Sequence, residues 1–539
     1  MDFARTDEQE SIRSAVRSLC AQFPDEYWRE LDRKSEYPER FVRALTDAGW
    51  LGALIPTEYG GAGLGLSEAA LIIEEINASG GNAAAAHAQM YTMGTLLRHG
   101  SDEQKRRYLP QLAKGELRLQ AFGVTEPEAG SETTRIKTMA VRRGDHFVVN
   151  GKKIFISRAE HSDLLLLLAR TTPYEDLEDK TQGLSVFLVD LRAAVAAKRI
   201  VVRPIETMFN HHTTELFIDD LEVPASNLVG EEGMGFRHII DSWNAERILI
   251  ASESLGDGRW FVARAAAYAS QRVVFGRPIA ANQGVQFPLA QAHARLEAAS
   301  LMRDKAAWLF DHGRKCGAEA NMAKLLASQA AWDAANAAID AYGGYGFARE
   351  FDVERKFRET RLLLVAPIGN NLVLAYIGQH VLGMPRSYCW KRCGRFARSC
   401  SSPVTASGWS SAPSASERSA PATWTWPCSI SRTGCPRRRR TRRDVSWRMY
   451  WARPLRPAPG RCAMYASDAR SATTVPRIWR RSCGQASAGS WPPKLRARMR
   501  SNGSPANSMR GSAMQRSHQA RSASFPRSRL PQRSSRRRA

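Results

Sequence analysis

Phe122-Gly123-Val124-Thr125-Glu126-Pro127-Glu128-Ala129-Gly130-Ser131-Glu132 stands where a helix-compatible region gives way to short β-favouring runs. By itself the stretch reads as a polar turn whose hydroxyls and unobstructed backbone amides suit a ligand. Upstream, residues 1 to about 120 carry helix-compatible stretches such as Glu8 to Phe23 and Glu68 to Ile76. Downstream, from Leu119 to about Val229, come His146-Phe147-Val148-Val149, Leu184 to Val189 and Ile200-Val201-Val202, separated by turn signals such as Asn150-Gly151. From Met234 to Tyr388 helical periodicity returns, with an alanine-rich segment from Ala318 to Ala341. The order predicts an α+β chain: an N-terminal helical domain over 1–118, a middle antiparallel β domain over 119–231, and a C-terminal, four-helix-bundle-like domain over 232–388.

Bulk charge misleads. The 539 residues have a formal net charge of +25, which would suggest a polyanionic partner for the whole molecule. From Cys389 onward, however, lie 33 of the 78 Lys+Arg and 3 of the 53 Asp+Glu, leaving 45 basic and 50 acidic residues for the body. The body is mildly acidic. Of nine cysteines only Cys20 and Cys316 fall in it, which excludes a disulfide framework and suits a cytoplasmic location. The acidic start, Met1 to Glu8, is unlike a secretory signal, and the apolar stretch near the body's end is broken by Pro367, Asn370 and Asn371, so no membrane span is expected.

Residues 389–539 lack any sustained period of 3.6 or 2, and their Arg-, Ser- and Pro-rich composition predicts a disordered tail. Arg437 to Arg440 with Trp424, Trp426 and Trp447 fit a basic nucleic-acid-binding or phospholipid-binding segment. The mixture of Arg, Ser, Pro, Trp and Cys also fits a GC-rich gene translated out of frame, and composition favours that reading. Nucleic acid is then expected to bind only nonspecifically.

Ile239, Trp243, Glu246 and Ile250 step by four, three and four, which places one carboxylate on an apolar helical stripe. Burial would raise its pKa and suit it to abstract a weakly acidic proton. The residues alone favour a structural ion pair with a buried arginine over that role. Pro56 to Gly65 is a glycine-rich turn without the spacing of a dinucleotide fingerprint, and His211-His212 lacks further ligands for a metal, so no metal site is expected.

Five motifs in order resemble those of the acyl-CoA dehydrogenases. Beside the opening stretch stand Asn150-Gly151-Lys152-Lys153-Ile154-Phe155-Ile156-Ser157, Asn244-Ala245-Glu246-Arg247, Arg272-Val273-Val274-Phe275-Gly276-Arg277-Pro278-Ile279 with Gln283, and Gly343-Gly344-Tyr345-Gly346-Phe347. The resemblance runs from residue 1 to about 388. It implies FAD held by Val124, Thr125, Gly130, Ser131, Phe155 and Ser157, with Arg272, Phe275, Gln283, Gly343 and Gly344 reaching a neighbouring subunit's cofactor. An arginine at 272 suits pyrophosphate through its planar fork. It implies Glu246 as catalytic base, of the isovaleryl-CoA and long-chain type, and Ser131 and Arg247 near the acyl-CoA. The family's other base position falls near Pro367 and is empty. Proline has no N–H for the thioester oxygen, so either the loop is shifted by one residue or that site lacks a donor. Asp340, Gly369 and Asn371 depart from the pattern around the adenosine.

The implied reaction is α,β-dehydrogenation of an acyl-CoA thioester in a homotetramer or homodimer that passes electrons to an electron-transfer flavoprotein. Alternatives are a flavin oxidase or monooxygenase on the same scaffold, and a nucleic-acid-binding protein driven by the tail.

Overall fold

The computed structural model describes residues 4–385, all within one compact unit, so the Arg-rich segment from 389 lies outside the described residues. Six helices open the chain: α1 (Asp7–Cys20), α2 (Asp25–Lys34), α3 (Glu39–Asp47), α4 (Leu66–Ala78), α5 (Ala84–His99) and α6 (Asp102–Lys114). Local chemistry starts two of them. Thr6 and Ser101 each form a capping box with the glutamine three residues on, so orphan N–H groups at the first turns of α1 and α6 are satisfied. At α4 a partner from elsewhere does this: the carboxylate of Asp311 accepts from the N–H groups of Leu66 (2.7 Å) and Ser67 (2.9 Å). The glycine-rich turn before α4 therefore presents no open anion site, and a Cβ at Gly61 would lie 2.2 Å from the Ile55 carbonyl oxygen.

The middle domain contains β1 (Ala121–Gly123), β2 (Met139–Arg143), β3 (His146–Ser157), β4 (Leu164–Arg170), β5 (Leu184–Asp190), the short helix α7 (Leu191–Ala196), β6 (Ile200–Ile205), β7 (Thr213–Pro224) and β8 (Leu228–Val229). Strand order is β6-β7-β3-β2-β4-β5-β8, with β1 on β4. Pairing is mainly antiparallel as expected, although β4 runs parallel to β1 and meets β2 in parallel at its end. In β4, Leu164, Leu166 and Leu168 enter a core shared with α5 and α6, while Leu165, Leu167 and Ala169 enter a second core with β3 and β7. Side chains alternate across a strand, so this unbroken apolar run is one whose two faces are both covered.

One expectation fails locally. Asn150-Gly151 is not a turn between strands; it lies inside β3, at a bulge between Val149 and Gly151. Asn150 accepts from the Asp220 N–H (2.7 Å) and donates to its carboxylate (3.0 Å), and a Cβ at Gly151 would lie 2.4 Å from the Thr138 hydroxyl. The glycine thus permits close approach of neighbouring backbone, and β2 turns into β3 at Gly144 and Asp145 instead.

The C-terminal domain packs α8 (Gly235–Gln271), α9 (Gln283–Asp311) and α10 (Gly317–Tyr342) together, with the shorter α11 (Val353–Leu362) and α12 (Asn370–Tyr376) completing the bundle-like arrangement. A two-stranded ribbon, β9 (Val273–Val274) and β10 (Arg277–Pro278), joins α8 to α9. Buried alanines of α10, including Ala323, Ala327, Ala330 and Ala334, leave little side-chain bulk between it and its neighbours. Helix α4 packs on α8, joining the first domain's core to the third's. No helix among the described residues is long and apolar enough to cross a membrane.

Candidate active site

A cavity of about 610 Å³ opens where α5, α8, the loop after β1, the end of β3 and the 362–372 segment meet. Helix α8 contributes a single stripe. Trp243, Glu246, Arg247, Ile250, Glu253 and Asp257 recur at helical spacing and all line the cavity. Ile239 and Ile250 are buried and Trp243 packs against the helix–sheet core, so the apolar stripe read around Glu246 is a packed face.

Four carboxylates line this cavity, and three are occupied. Glu253 meets His87 Nδ1 at 2.9 Å. Asp257 pairs with the Lys356 ammonium and accepts from Asn77 and Thr360. Glu359 pairs with Arg355 and Lys356. Glu246 is 8% exposed and has no cation or imidazole within ion-pair distance among the described residues. The structural ion pair that the residues alone allowed is therefore absent there. Burial pushes the Glu246 carboxyl up to about 7, outweighing the opposing pull of His87 and Arg247, with Glu253 adding to the rise. Arg247 lies beside it, bonded through Nη1 to Asn244 (3.2 Å), with its Nε unpartnered.

The β side of the cavity comes from two chain segments that lock each other. Lys153, fully buried, donates to the Val124 carbonyl (3.1 Å) and the Glu126 carboxylate (2.8 Å), and the Ile154 N–H donates to the Thr125 carbonyl (2.9 Å). Glu126 also accepts from the N–H of Thr138 (2.9 Å). Burial opposes both charges and brings Lys153 down to about 8, while Lys153 and the Lys137 N–H hold Glu126 below the ordinary range. The pair is ionised at neutral pH.

A register shift between Lys153 and Ile156, with Phe155 at φ 57°, brings Phe155, Ile156 and Ser157 to the cavity. The Thr125, Ser131 and Ser157 hydroxyls also line it and make no hydrogen bond among the described residues. Gly130 has open space where a Cβ would stand. Three unclaimed hydroxyls, an aromatic ring and a bare backbone fit the polar edge and flat face of a flavin.

Thus Val124, Thr125, Gly130, Ser131, Phe155, Ser157, Glu246 and Arg247, spread over more than a hundred residues, line one cavity. Arg272, Phe275, Gln283, Gly343 and Gly344 do not line it. They lie at the end of α8, in the ribbon after it, at the start of α9 and in the turn after α10, where the Arg272 guanidinium stands 5.8 Å from the Tyr345 ring centroid and Phe275 is fully exposed.

Val365, Ala366, Pro367, Ile368 and Gly369 form part of the wall, so the segment carrying the empty base position does reach Glu246's cavity. Lys324 ties it down through the Ile368 carbonyl (2.8 Å) and Asn370 (2.7 Å). Pro367 has no N–H to offer, but the Ile368 N–H makes no backbone hydrogen bond among the described residues. His211 and His212 part company: His211 lines the cavity, while His212 turns toward His161 at 3.2 Å. Among the described residues no group of three or more His, Cys, Asp or Glu is placed to hold a metal ion. Sequence reading missed His87, Tyr91, Arg158 and Glu253; the spacing of Glu246, Ile250 and Glu253 on α8 was the available signal for the last.

Residues 6–116, 121–221 and 233–377 match the acyl-CoA dehydrogenase N-terminal, middle and C-terminal domains, in that order. The chain is 36% identical over 389 residues to the acyl-CoA dehydrogenase FadE12 of Mycobacterium tuberculosis, covering 72% of this chain and 99% of that one. Its fold is similar to a glutaryl-coenzyme A dehydrogenase–glutaryl-CoA complex, with a TM-score of 0.67, 31% identity and coverage of 72% and 98%. It is also similar to the prolyl acyl carrier protein oxidase AnaB, with a TM-score of 0.66, 26% identity and coverage of 71% and 100%. With helices, sheet and helices in the family's order and its three domains matched in succession, the chain belongs to the acyl-CoA dehydrogenase family of flavoprotein oxidoreductases.

Proposed function

We propose that the protein catalyses FAD-dependent α,β-dehydrogenation of an acyl-CoA thioester, with Glu246 as the base. The observation that carries this reading is the isolation of Glu246: among the described residues it alone of the cavity's four carboxylates lacks a cation or imidazole partner, and burial raises it to about 7. A carboxylate so poised takes the proton α to the thioester carbonyl near neutral pH. FAD, when bound, supplies the acceptor for the β-hydride. Thr125, Ser131 and Ser157 would hold its polar edge, and Phe155 its face.

Ser131 and Arg247 are assigned to the acyl-CoA side. In the 365–369 segment the Ile368 N–H is a donor available to the thioester oxygen, in place of the N–H that Pro367 lacks. Arg272, Phe275, Gln283, Gly343 and Gly344 are assigned to the cofactor of a neighbouring copy in a homodimer or homotetramer, a role suited to their exposure and their distance from this chain's cavity. The acceptor is an electron-transfer flavoprotein. Cys20 and Cys316, both free and buried, suit a cytoplasmic location.

A second reading, a flavin oxidase, is favoured by the similarity to AnaB. Flavin bleaching by a panel of acyl-CoAs, run with and without oxygen, tests both. Anaerobic bleaching that persists in air supports the dehydrogenase; rapid reoxidation with peroxide release supports the oxidase. No bleaching by any thioester overturns both.

A further inference from the structure

Four arginines among the described residues are buried: Arg158, Arg170, Arg303 and Arg355. Three are satisfied. Arg170 donates to the carbonyls of Thr134, Ile136 and Thr172. Arg303 holds Glu74, Asp304 and Ser252. Arg355 holds Asp352, Glu359 and the Gly80 carbonyl.

Arg158 differs from all of them. It is 7% exposed, its guanidinium has no hydrogen bond or ion pair among the described residues, and it faces both the main cavity and a side pocket beside Tyr37. A buried cation left without an anion is strongly destabilising, so a protein keeps one where a ligand supplies the counter-charge. Its backbone position is also specified: Arg158 has φ 59°, and its N–H donates to the His212 carbonyl at 2.6 Å.

Several of the groups near Arg158 are polar, beside Phe209, which packs on His211. Burial disfavours the Arg158 charge, with Tyr37, Glu253 and Tyr91 only partly opposing it, and His211 is held well below the usual imidazole range, by burial first and then by Arg158. Glu253 is taken by His87, and His87 Nε2 has no partner. Glu253 follows Glu246 by seven residues on α8, or about 10 Å along the helix.

We propose that Arg158 is a specificity-determining subsite that binds a carboxylate at the distal end of the acyl group, so that the preferred substrates are CoA thioesters of dicarboxylic acids. This rests on the acyl-CoA dehydrogenase reading of the same cavity. The carboxylate pairs with the Arg158 guanidinium while the thioester end lies at Glu246.

The test compares the FAD-loaded enzyme on adipoyl-CoA against hexanoyl-CoA and suberoyl-CoA against octanoyl-CoA, by flavin bleaching and by calorimetric binding. Wild type is expected to favour each carboxylated thioester by about tenfold or more in kcat/KM. Arg158→Met, which keeps the aliphatic stem, is expected to lose about 100-fold on the carboxylated thioesters, mainly in KM. On the methyl-ended ones it stays within about threefold. Arg158→Lys recovers part of the loss, and FAD content and flavin absorption stay unchanged.

Equal handling of both classes by wild type overturns the proposal, and that comparison stands even if no Arg158 variant folds. An Arg158→Met enzyme that loses FAD or shifts the flavin spectrum while both classes fall equally also overturns it, and assigns the arginine to the cofactor. If no thioester bleaches the flavin, dehydrogenation fails as a reading, and the calorimetric preference for the carboxylated thioesters still decides the role of Arg158.

Discussion

Replacing Glu246 by glutamine separates chemistry from stability. The amide keeps the shape of the carboxyl and cannot accept the α proton, so flavin bleaching is expected to fall ~100-fold or more. Stability should move the other way. Burial raises the Glu246 carboxyl from 4.5 to about 7, and at about 1.4 kcal/mol per pKa unit the ionised form costs the folded state about 3 kcal/mol. The folded state binds the proton more tightly than the unfolded one. The stabilisation from the neutral acid is therefore complete below pH 4.5 and is lost as pH rises through about 7. Glutamine carries no such penalty at any pH. Urea unfolding of FAD-loaded wild type and Glu246→Gln should then give similar stabilities near the acid end, with the variant ahead by up to about 3 kcal/mol at pH 8. In wild type, kcat/KM should rise with pH through the same region as the base ionises. A variant that bleaches normally, or a stability difference independent of pH, would refute the argument.

Arg272→Ala should lower FAD content and loosen the oligomer together, because the residue lies outside its own chain's cavity; flavin-to-protein ratio and molecular mass check this, and unchanged flavin content rejects it. Lys153→Met should destabilise by about 3 kcal/mol and reduce flavin retention, because it strands the buried Glu126 carboxylate beneath the 124–131 loop. Lys152→Met, which breaks a more exposed pair with Glu215, should cost no more than about 1 kcal/mol in the same urea titration. A chain ended after Tyr388 should keep FAD content and turnover, since the cavity is lined by residues between Asn77 and Leu372; loss of either would give the basic segment a structural role. Salt-sensitive polyanion binding should disappear with that segment.

Much of this protein is legible in its sequence. Period and composition separated helix, sheet and helix, because local propensity and the spacing of apolar residues follow directly from the chain. The stripe of Ile239, Trp243, Glu246 and Ile250 located a buried carboxylate for the same reason. Where local chemistry had two outcomes, tertiary contacts chose. Asn150-Gly151 has the composition of a turn, yet the Asp220 pairing and the tight approach of Thr138 made it a bulge within β3. Whether Glu246 was half of an ion pair depended on the partners brought near it. Those partners come from α5 and α11, and the fold gives them to Glu253, Asp257 and Glu359 instead. Arg158 gave no local signal at all. An unpaired buried cation is defined by what fails to reach it, and that is a property of the packed structure alone.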